Sequence, residues 1–246
     1  MIIPFRYRLL ALSVIASFIQ ILLFPILLWQ GNKVRDNAKN LPEASGKRLG
    51  KIGKGKTVNI LILGDSSACG VGVKSIDESL AGYLVKFLTH RFTCKWKIIA
   101  KSGIKTSDLT ELVKKAQKRK FDVALVSVGI NDITSGYSAQ LWHDRMLELS
   151  QVLLIDLQVS YIIFCGIPPV RKLTIIPFPL KQLLSFKAFI FDLYLEEMSM
   201  HLNEGYFVPH DYPVNQDTLA EDLFHPGKIY YKNWAKKISE TIIDIF

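Results

Sequence analysis

The sequence predicts a doubly wound α/β domain preceded by an N-terminal apolar helix. Two observations carry this. Over residues 57–246, five apolar, β-rich runs alternate with five helical stretches, the pattern of a parallel sheet covered on both faces. Ahead of them, Leu9 to Trp29 form a run of residues without a single charge.

The apolar run comes first. At about 1.5 Å per residue it makes a helix of roughly 31 Å, the thickness of a bilayer's hydrocarbon core. Gln20 and Pro25 are tolerable within such a helix, and Trp29 stands where an interfacial aromatic belongs. Residues 1–30 are expected to be a single-pass membrane anchor, with the transmembrane part at about 9–29. A cleaved signal peptide is the competing reading. Against it, the run exceeds the usual length of roughly 7–15 residues and no A-x-A-like site follows. Lys and Arg flank both ends, so the side of the membrane on which the chain continues stays open. Residues 31–56, rich in Lys, Gly and Asn, are expected to be a basic linker.

Strands are expected near 57–63, 95–100, 121–128, 160–165 and 205–209, and helices near 77–91, 106–119, 138–157, 181–203 and 227–245. In the third helix, Met146, Leu149, Leu153 and Leu157 recur at three- and four-residue spacings, with Leu141 five residues before them. Helix 181–203 carries more apolar side chains than one buried face requires. The stretch from Gly166 to Leu180 contains four prolines and cannot be a regular helix. It reads either as a wall near the functional edge of the sheet or as a loop packed on the core.

Net charge is +9, a value that suggests nucleic acid until it is located. Residues 31–56 hold eight basic residues against two acids, and Arg6 and Arg8 add two more, leaving +1 for residues 57–246. The basic character therefore sits beside the apolar segment and favours a membrane surface over DNA or RNA. Cys69, Cys94 and Cys165 form no disulfide framework and no metal spacing. The histidines have no ligand spacing either. Gly70 and Gly72 lack the rest of a phosphate loop. No cofactor is expected.

In such sheets functional groups lie beyond the carboxyl ends of the strands. The first strand stops at Gly64-Asp65-Ser66 and breaks into Gly70 and Gly72, placing the Ser66 hydroxyl on a tight strand-to-helix turn. A serine hydroxyl needs a base to take its proton, and the base needs an orienting carboxylate. Asp222-Leu-Phe-His225-Pro226 supplies both three residues apart, within reach if the segment is a helical turn. The oxyanion of a tetrahedral intermediate needs donors. The backbone N–H groups of Ser66 and Gly103 and the side-chain amide of Asn131 are candidates. Asp65 and Asp132 are expected to be structural, and His210 to be a turn residue.

Gly64-Asp65-Ser66 with Gly70, Gly103 ahead of Asp108-Leu109, Gly129-Ile-Asn131-Asp132, and Asp222-x-x-His225-Pro226 occur in this order. In this the sequence resembles the SGNH hydrolases, the GDSL family of esterases and lipases, over residues 57–246. The resemblance implies a flavodoxin-like three-layer α/β/α sandwich with a five-stranded parallel sheet. It also implies Ser66 as nucleophile, His225 as base, Asp222 as its orienter, and Ser66, Gly103 and Asn131 as the oxyanion hole. Lys101-Ser102 before Gly103 departs from the asparagine of many members.

The activity expected is a membrane-anchored serine esterase acting on carboxylic esters, lipidic ones among them. An acyltransferase or an O-acetylesterase acting on cell-envelope carbohydrate would use the same residues. A non-catalytic binding module that kept the fold is the reading of another class.

Overall fold

The computed structural model describes residues 5–37, 39–116 and 119–246. Its centre is a six-stranded sheet in the order β1-β3-β2-β4-β5-β6. The strands are β1 (Leu49–Ile52), β2 (Lys56–Gly64), β3 (Phe92–Ala100), β4 (Val123–Ser127), β5 (Tyr161–Cys165) and β6 (Gly205–Val208). Strands β2 to β6 are parallel to their neighbours, and β1 pairs antiparallel with β3, Leu49 opposite Lys97 and Ile52 opposite Cys94. The parallel part is the expected flavodoxin-like arrangement. The sixth strand corrects the expected count of five, and it lies in the stretch read as linker. Gly50 lets it sit there, because a Cβ at that position would lie 2.9 Å from the Trp96 indole nitrogen on β3.

Successive residues of β2 serve two cores. Leu61 and Leu63 join Ala124, Val126, Ile162 and Phe164 on one face. Val58, Ile60 and Ile62 join Val123, Leu125 and Ile163 on the other. This period of two, apolar on both faces, is what a doubly covered parallel sheet demands. The second face is covered by α3 (Leu80–Leu88) and α8 (Lys228–Ile245), and the first by α4 (Thr106–Lys114), α6 (Ala139–Gln151) and α7 (Leu180–His201). A short α5 (Ile130–Thr134) follows β4. Ser138 caps α6, its hydroxyl accepting from Leu141 N–H at 3.2 Å, and one π turn, Val152–Asp156, extends that helix.

The N-terminal apolar run forms two helices rather than one, α1 (Phe5–Leu22) and α2 (Phe24–Asn37). The break lies just before Pro25, which lacks an N–H and crowds the preceding turn. Helix α1 is long and apolar enough to cross a membrane. It lies along α7, burying the one-sided stripe Leu9, Ser13 and Ala16, and Lys187 Nζ on α7 donates to Gln20 Oε1 at 3.0 Å. This accounts for the surplus of apolar residues on α7: one face meets the sheet and another meets α1. The opposite face of α1 is bare, with Val14, Phe18, Ile21 and Leu22 60–74% exposed.

Candidate active site

In this strand order β2 is flanked by β3 and β4, and the connections from β2 and β4 leave in opposite directions. The crevice at this switch point is where such folds place ligands. Ser66 follows β2 and Asn131 follows β4. Gly64 fits because its backbone passes Ser127 closely; a Cβ there would lie 2.2 Å from Ser127 O. Asp65 N–H donates to the same carbonyl at 3.2 Å, and Tyr231 Oη bonds Val71 O at 2.7 Å, fixing the far side of the nucleophile loop.

His225 Nε2 stands 3.0 Å from Ser66 Oγ, and His225 Nδ1 stands 2.5 Å from Asp222 Oδ2. The carboxylate can only accept, so Nδ1 carries the proton and Nε2 is free to accept from the Ser66 hydroxyl. Asp222 and His225 are not on a helical turn, the condition under which their spacing gave them reach. Asp222 Oδ1 accepts from both Phe224 N–H and His225 N–H at 3.0 Å, and Leu223 between them adopts a left-handed φ of 56°. The spacing of three brings the groups together through this side-chain-bridged turn instead. Burial of Asp222 raises its pKa, but the bonds from the His225 side chain and from the His225 and Phe224 backbone outweigh that and lower it overall.

The three expected oxyanion donors follow the carboxyl ends of β2, β3 and β4. Among the described residues, neither Ser66 N–H nor Gly103 N–H donates to a protein acceptor. Gly103 has a φ of +74°, a left-handed conformation that glycine adopts without penalty. Asn131 Nδ2 donates to Ile104 O at 3.0 Å and lies 3.5 Å from Asp65 Oδ2, so one of its two N–H groups ties the Gly103 turn to α5 and the other is only loosely engaged.

Asp65 and Asp132 take structural positions, as expected. Asp65 Oδ1 accepts from Ser67 N–H at 3.0 Å, and burial lifts its pKa to about 6. Asp132 accepts from Thr106 N–H and Oγ at the start of α4; burial lifts it to about 6 as well. His210 is not a turn residue but part of the core, its Nδ1 2.7 Å from Tyr230 Oη, and burial drives its pKa down to about 3. Among the described residues no three His, Cys, Asp or Glu side chains cluster as a metal site requires.

One residue of the site has no counterpart in the sequence reading. Glu43, in the supposed linker, accepts from Ser102 N–H at 3.0 Å and from Ser102 Oγ at 2.8 Å, and its other oxygen pairs with Arg48. It clamps the turn that presents Gly103. Burial raises the Glu43 pKa, but the Ser102 bonds and the Arg48 charge prevail and hold it at about 2.

The proline-rich stretch is both wall and packed loop. Ile167, Val170, Leu173 and Ile176 are buried, while Pro168, Pro169 and Leu173 line a small apolar pocket of about 20 Å³ against Ser66 and His225.

No family model and no curated protein matches this chain. Solved structures do match in fold. TesA superposes with a TM-score of 0.59 at 14% identity, over 76% of this chain and 99% of its own. The psychrotrophic esterase EstA from Pseudoalteromonas sp., inhibited by monoethylphosphonate, gives 0.55 at 16% identity over 76% and 97%. A carbohydrate acetylesterase family member from Sinorhizobium meliloti gives 0.57 at 14% identity over 76% and 98%. At this identity the likeness establishes a shared fold, an α/β/α sandwich.

Proposed function

We propose that this chain is a serine ester hydrolase of the SGNH type, held at a membrane surface by α1 and α2. The observation that carries the reading is the continuous hydrogen-bonded chain Ser66–His225–Asp222, assembled from segments 159 residues apart in sequence. Two of the fold neighbours, EstA and the Sinorhizobium meliloti protein, bear the names of esterases.

In the reaction, Ser66 Oγ attacks the ester carbonyl carbon while His225 Nε2 takes the hydroxyl proton. Negative charge develops on the former carbonyl oxygen, where the N–H groups of Ser66 and Gly103 and the Asn131 amide can receive it. As the tetrahedral intermediate collapses, the bond to the alcohol oxygen breaks and His225 gives that oxygen the proton. Water then attacks the acyl-serine, losing its proton to His225, and the acid leaves as the Ser66 hydroxyl is restored. Asp222 stabilises the imidazolium in both halves.

A fluorophosphonate probe tests the assignment. Labelling of the wild type at Ser66, and its loss in Ser66→Ala, is the expected result. Unchanged labelling in the variant defeats it.

The pocket against Ser66 favours a short acyl group. Pro168, Pro169, Leu173 and Phe224 wall the space beside Ser66 and His225, a lining that suits a small apolar acyl group such as acetyl. An O-acetylesterase is therefore the narrower form of the reading, and the carbohydrate esterases among the fold neighbours are in keeping with it. Rates on a series of p-nitrophenyl esters should be highest for acetate; a maximum at medium chain length removes this narrower form and leaves the esterase reading standing.

A further inference from the structure

One seam runs through both N-terminal helices. Leu9, Ser13, Ala16, Gln20, Leu23 and Leu27 follow one another at alternating steps of four and three residues, and all are buried or partly buried. That is the spacing of a helix committed along its length to a partner.

The partner is the domain itself. Leu9, Ala16 and Leu27 belong to the same buried core as Leu183, Leu184 and Ala188 of α7. The polar members of the seam are paired as well. Lys187 on α7, only 3% exposed, donates from Nζ to Gln20 Oε1 at 3.0 Å. Gln30, three residues beyond Leu27, donates from Nε2 to Phe178 O at 2.7 Å and accepts at Oε1 from Leu180 N–H at 3.1 Å. Buried polar groups satisfied in this way are costly to separate.

The other side of α1 is bare. Leu10, Val14, Phe18 and Ile21 are exposed, and steps of four, four and three make them neighbours along one side of the helix. Such an apolar stripe marks a membrane or partner contact. The groups at its two ends identify a lipid surface. Arg6 and Arg8 stand before the stripe, Lys33 and Arg35 after it, all exposed. Lys33 Nζ sits 5.3 Å over the Trp29 ring. Cations and an indole are the side chains that settle among anionic head groups.

Crossing the bilayer does not fit this arrangement, and length alone does not separate a crossing helix from one that lies in the surface. A crossing α1 carries one of the two basic flanks to the far side. It must also leave α7 or take α7 with it. Leaving strips Lys187 of its bond to Gln20 and uncovers apolar side chains of α7. Taking α7 along draws Lys181, Asp192, Glu196 and Glu197 of that helix, and the sheet beneath it, into hydrocarbon, where charge is expensive.

We propose that α1 does not cross the membrane but lies in the plane of its surface. The seam stays on α7, Leu10, Val14, Phe18 and Ile21 enter the lipid, and both basic flanks remain on one side. This rests on the membrane part of the reading above and deepens it, in place of the single-pass anchor expected from the sequence.

Nitroxide labels on the full chain, reconstituted in phosphatidylcholine–phosphatidylglycerol vesicles, test it. They are attached one at a time through Leu10→Cys, Val14→Cys, Phe18→Cys and Ile21→Cys, with thermal melts to verify folding. The native Cys69, Cys94 and Cys165 are buried and do not compete. Collision with oxygen and with a nickel chelate gives each label's depth. The four depths should agree within about 5 Å and lie about 5–10 Å below the head groups. In a crossing helix this stretch passes through the bilayer centre, about 15 Å deep, and its labels differ by about 10 Å. In sealed bacterial membranes, Tyr7→Cys and Lys33→Cys should react with an impermeant maleimide from the same face. A label at the bilayer centre, or reaction from opposite faces, overturns the proposal and leaves membrane attachment standing. Labels shielded from both collision reagents mean that a second copy of the chain covers the stripe, which also overturns it. Four labels left in water remove the membrane part of the reading as well. The fluorophosphonate labelling of Ser66 tests the esterase part separately.

Discussion

Replacing Glu43 by alanine should slow the chemical step although Glu43 touches no substrate. Its Oε1 accepts two hydrogen bonds from Ser102, at 3.0 and 2.8 Å, and these restrain the turn on which the Gly103 N–H stands. A hydrogen bond to a charged group contributes about 1.5–3 kcal/mol when shielded. The Glu43 side chain is 36% exposed, so the pair together is worth about 1–2 kcal/mol after allowance for solvent. If that restraint is expressed on the oxyanion, kcat falls by about 5- to 30-fold. This is less than the roughly 10²–10³-fold loss on deleting an oxyanion donor outright. KM should change little. Glu43→Gln keeps an oxygen able to accept both Ser102 donors and should retain most of the activity. With its pKa held at about 2, Glu43 stays ionised through the working range, so the Ala/wild-type ratio should be flat from about pH 5 to about 8. The assay is kcat and KM on a soluble acetate ester, with thermal melts to verify folding. Wild-type kcat in the alanine variant, or an equal loss in the glutamine variant, refutes the argument.

Asp222→Asn keeps an acceptor for the Phe224 and His225 N–H groups but presents an amide to His225 Nδ1. The proton is then driven to Nε2, and kcat should drop by about 10²–10⁴ with the fold intact; a loss under tenfold refutes the tautomer argument. Tyr231→Phe strips the hydroxyl from a fully buried side chain that bonds Val71 O at 2.7 Å, costing about 1–3 kcal/mol. A denaturant midpoint unchanged from wild type would show that the nucleophile loop does not depend on it. Asp192 accepts from Ile167 N–H at 2.7 Å, and its burial raises its pKa to about 7. The folded state thus binds this proton more tightly than the unfolded chain, so its contribution to stability is greatest at acid pH. It is lost as pH rises from about 4 to about 7. Asp192→Asn should remove that slope, and melting curves of the two proteins that stay parallel across this range contradict the assignment.

The five parallel strands were legible because their apolar runs are long and end in glycine or polar breaks; β2, expected at 57–63, runs Lys56–Gly64. The break between α1 and α2 was not foreseen: Pro25 is tolerable within one long helix, yet the chain breaks just ahead of it. Strand β1 was not legible: Leu49-Gly-Lys-Ile52 is short, carries a lysine, and becomes a strand only because β3 offers it an edge. The i, i+3 spacing of Asp222 and His225 fits a helical turn and the observed bridged turn equally, and only the left-handed Leu223 tells them apart. Glu43 left no local signal. Its partner lies 59 residues away, and it sits in a stretch whose charge draws attention to the lysines. The stripe of α1 that meets α7 was equally hidden: Ser13 and Gln20 mark it as the more polar side of the run, but nothing local names α7 as its partner.

The chain between α2 and the catalytic domain also sets a radius of action. Helix α2 ends at Asn37, and Ala44 N–H is already bonded to Cys69 O in the nucleophile loop. Seven Cα-to-Cα steps, fully extended, span at most about 24 Å. If α1 and α2 lodge in a bilayer as proposed, then even with α2 pulled wholly free of the domain the site could not work further from it than this leash permits. It would patrol a shell about as deep as one small protein domain and ignore esters beyond it, however abundant they were.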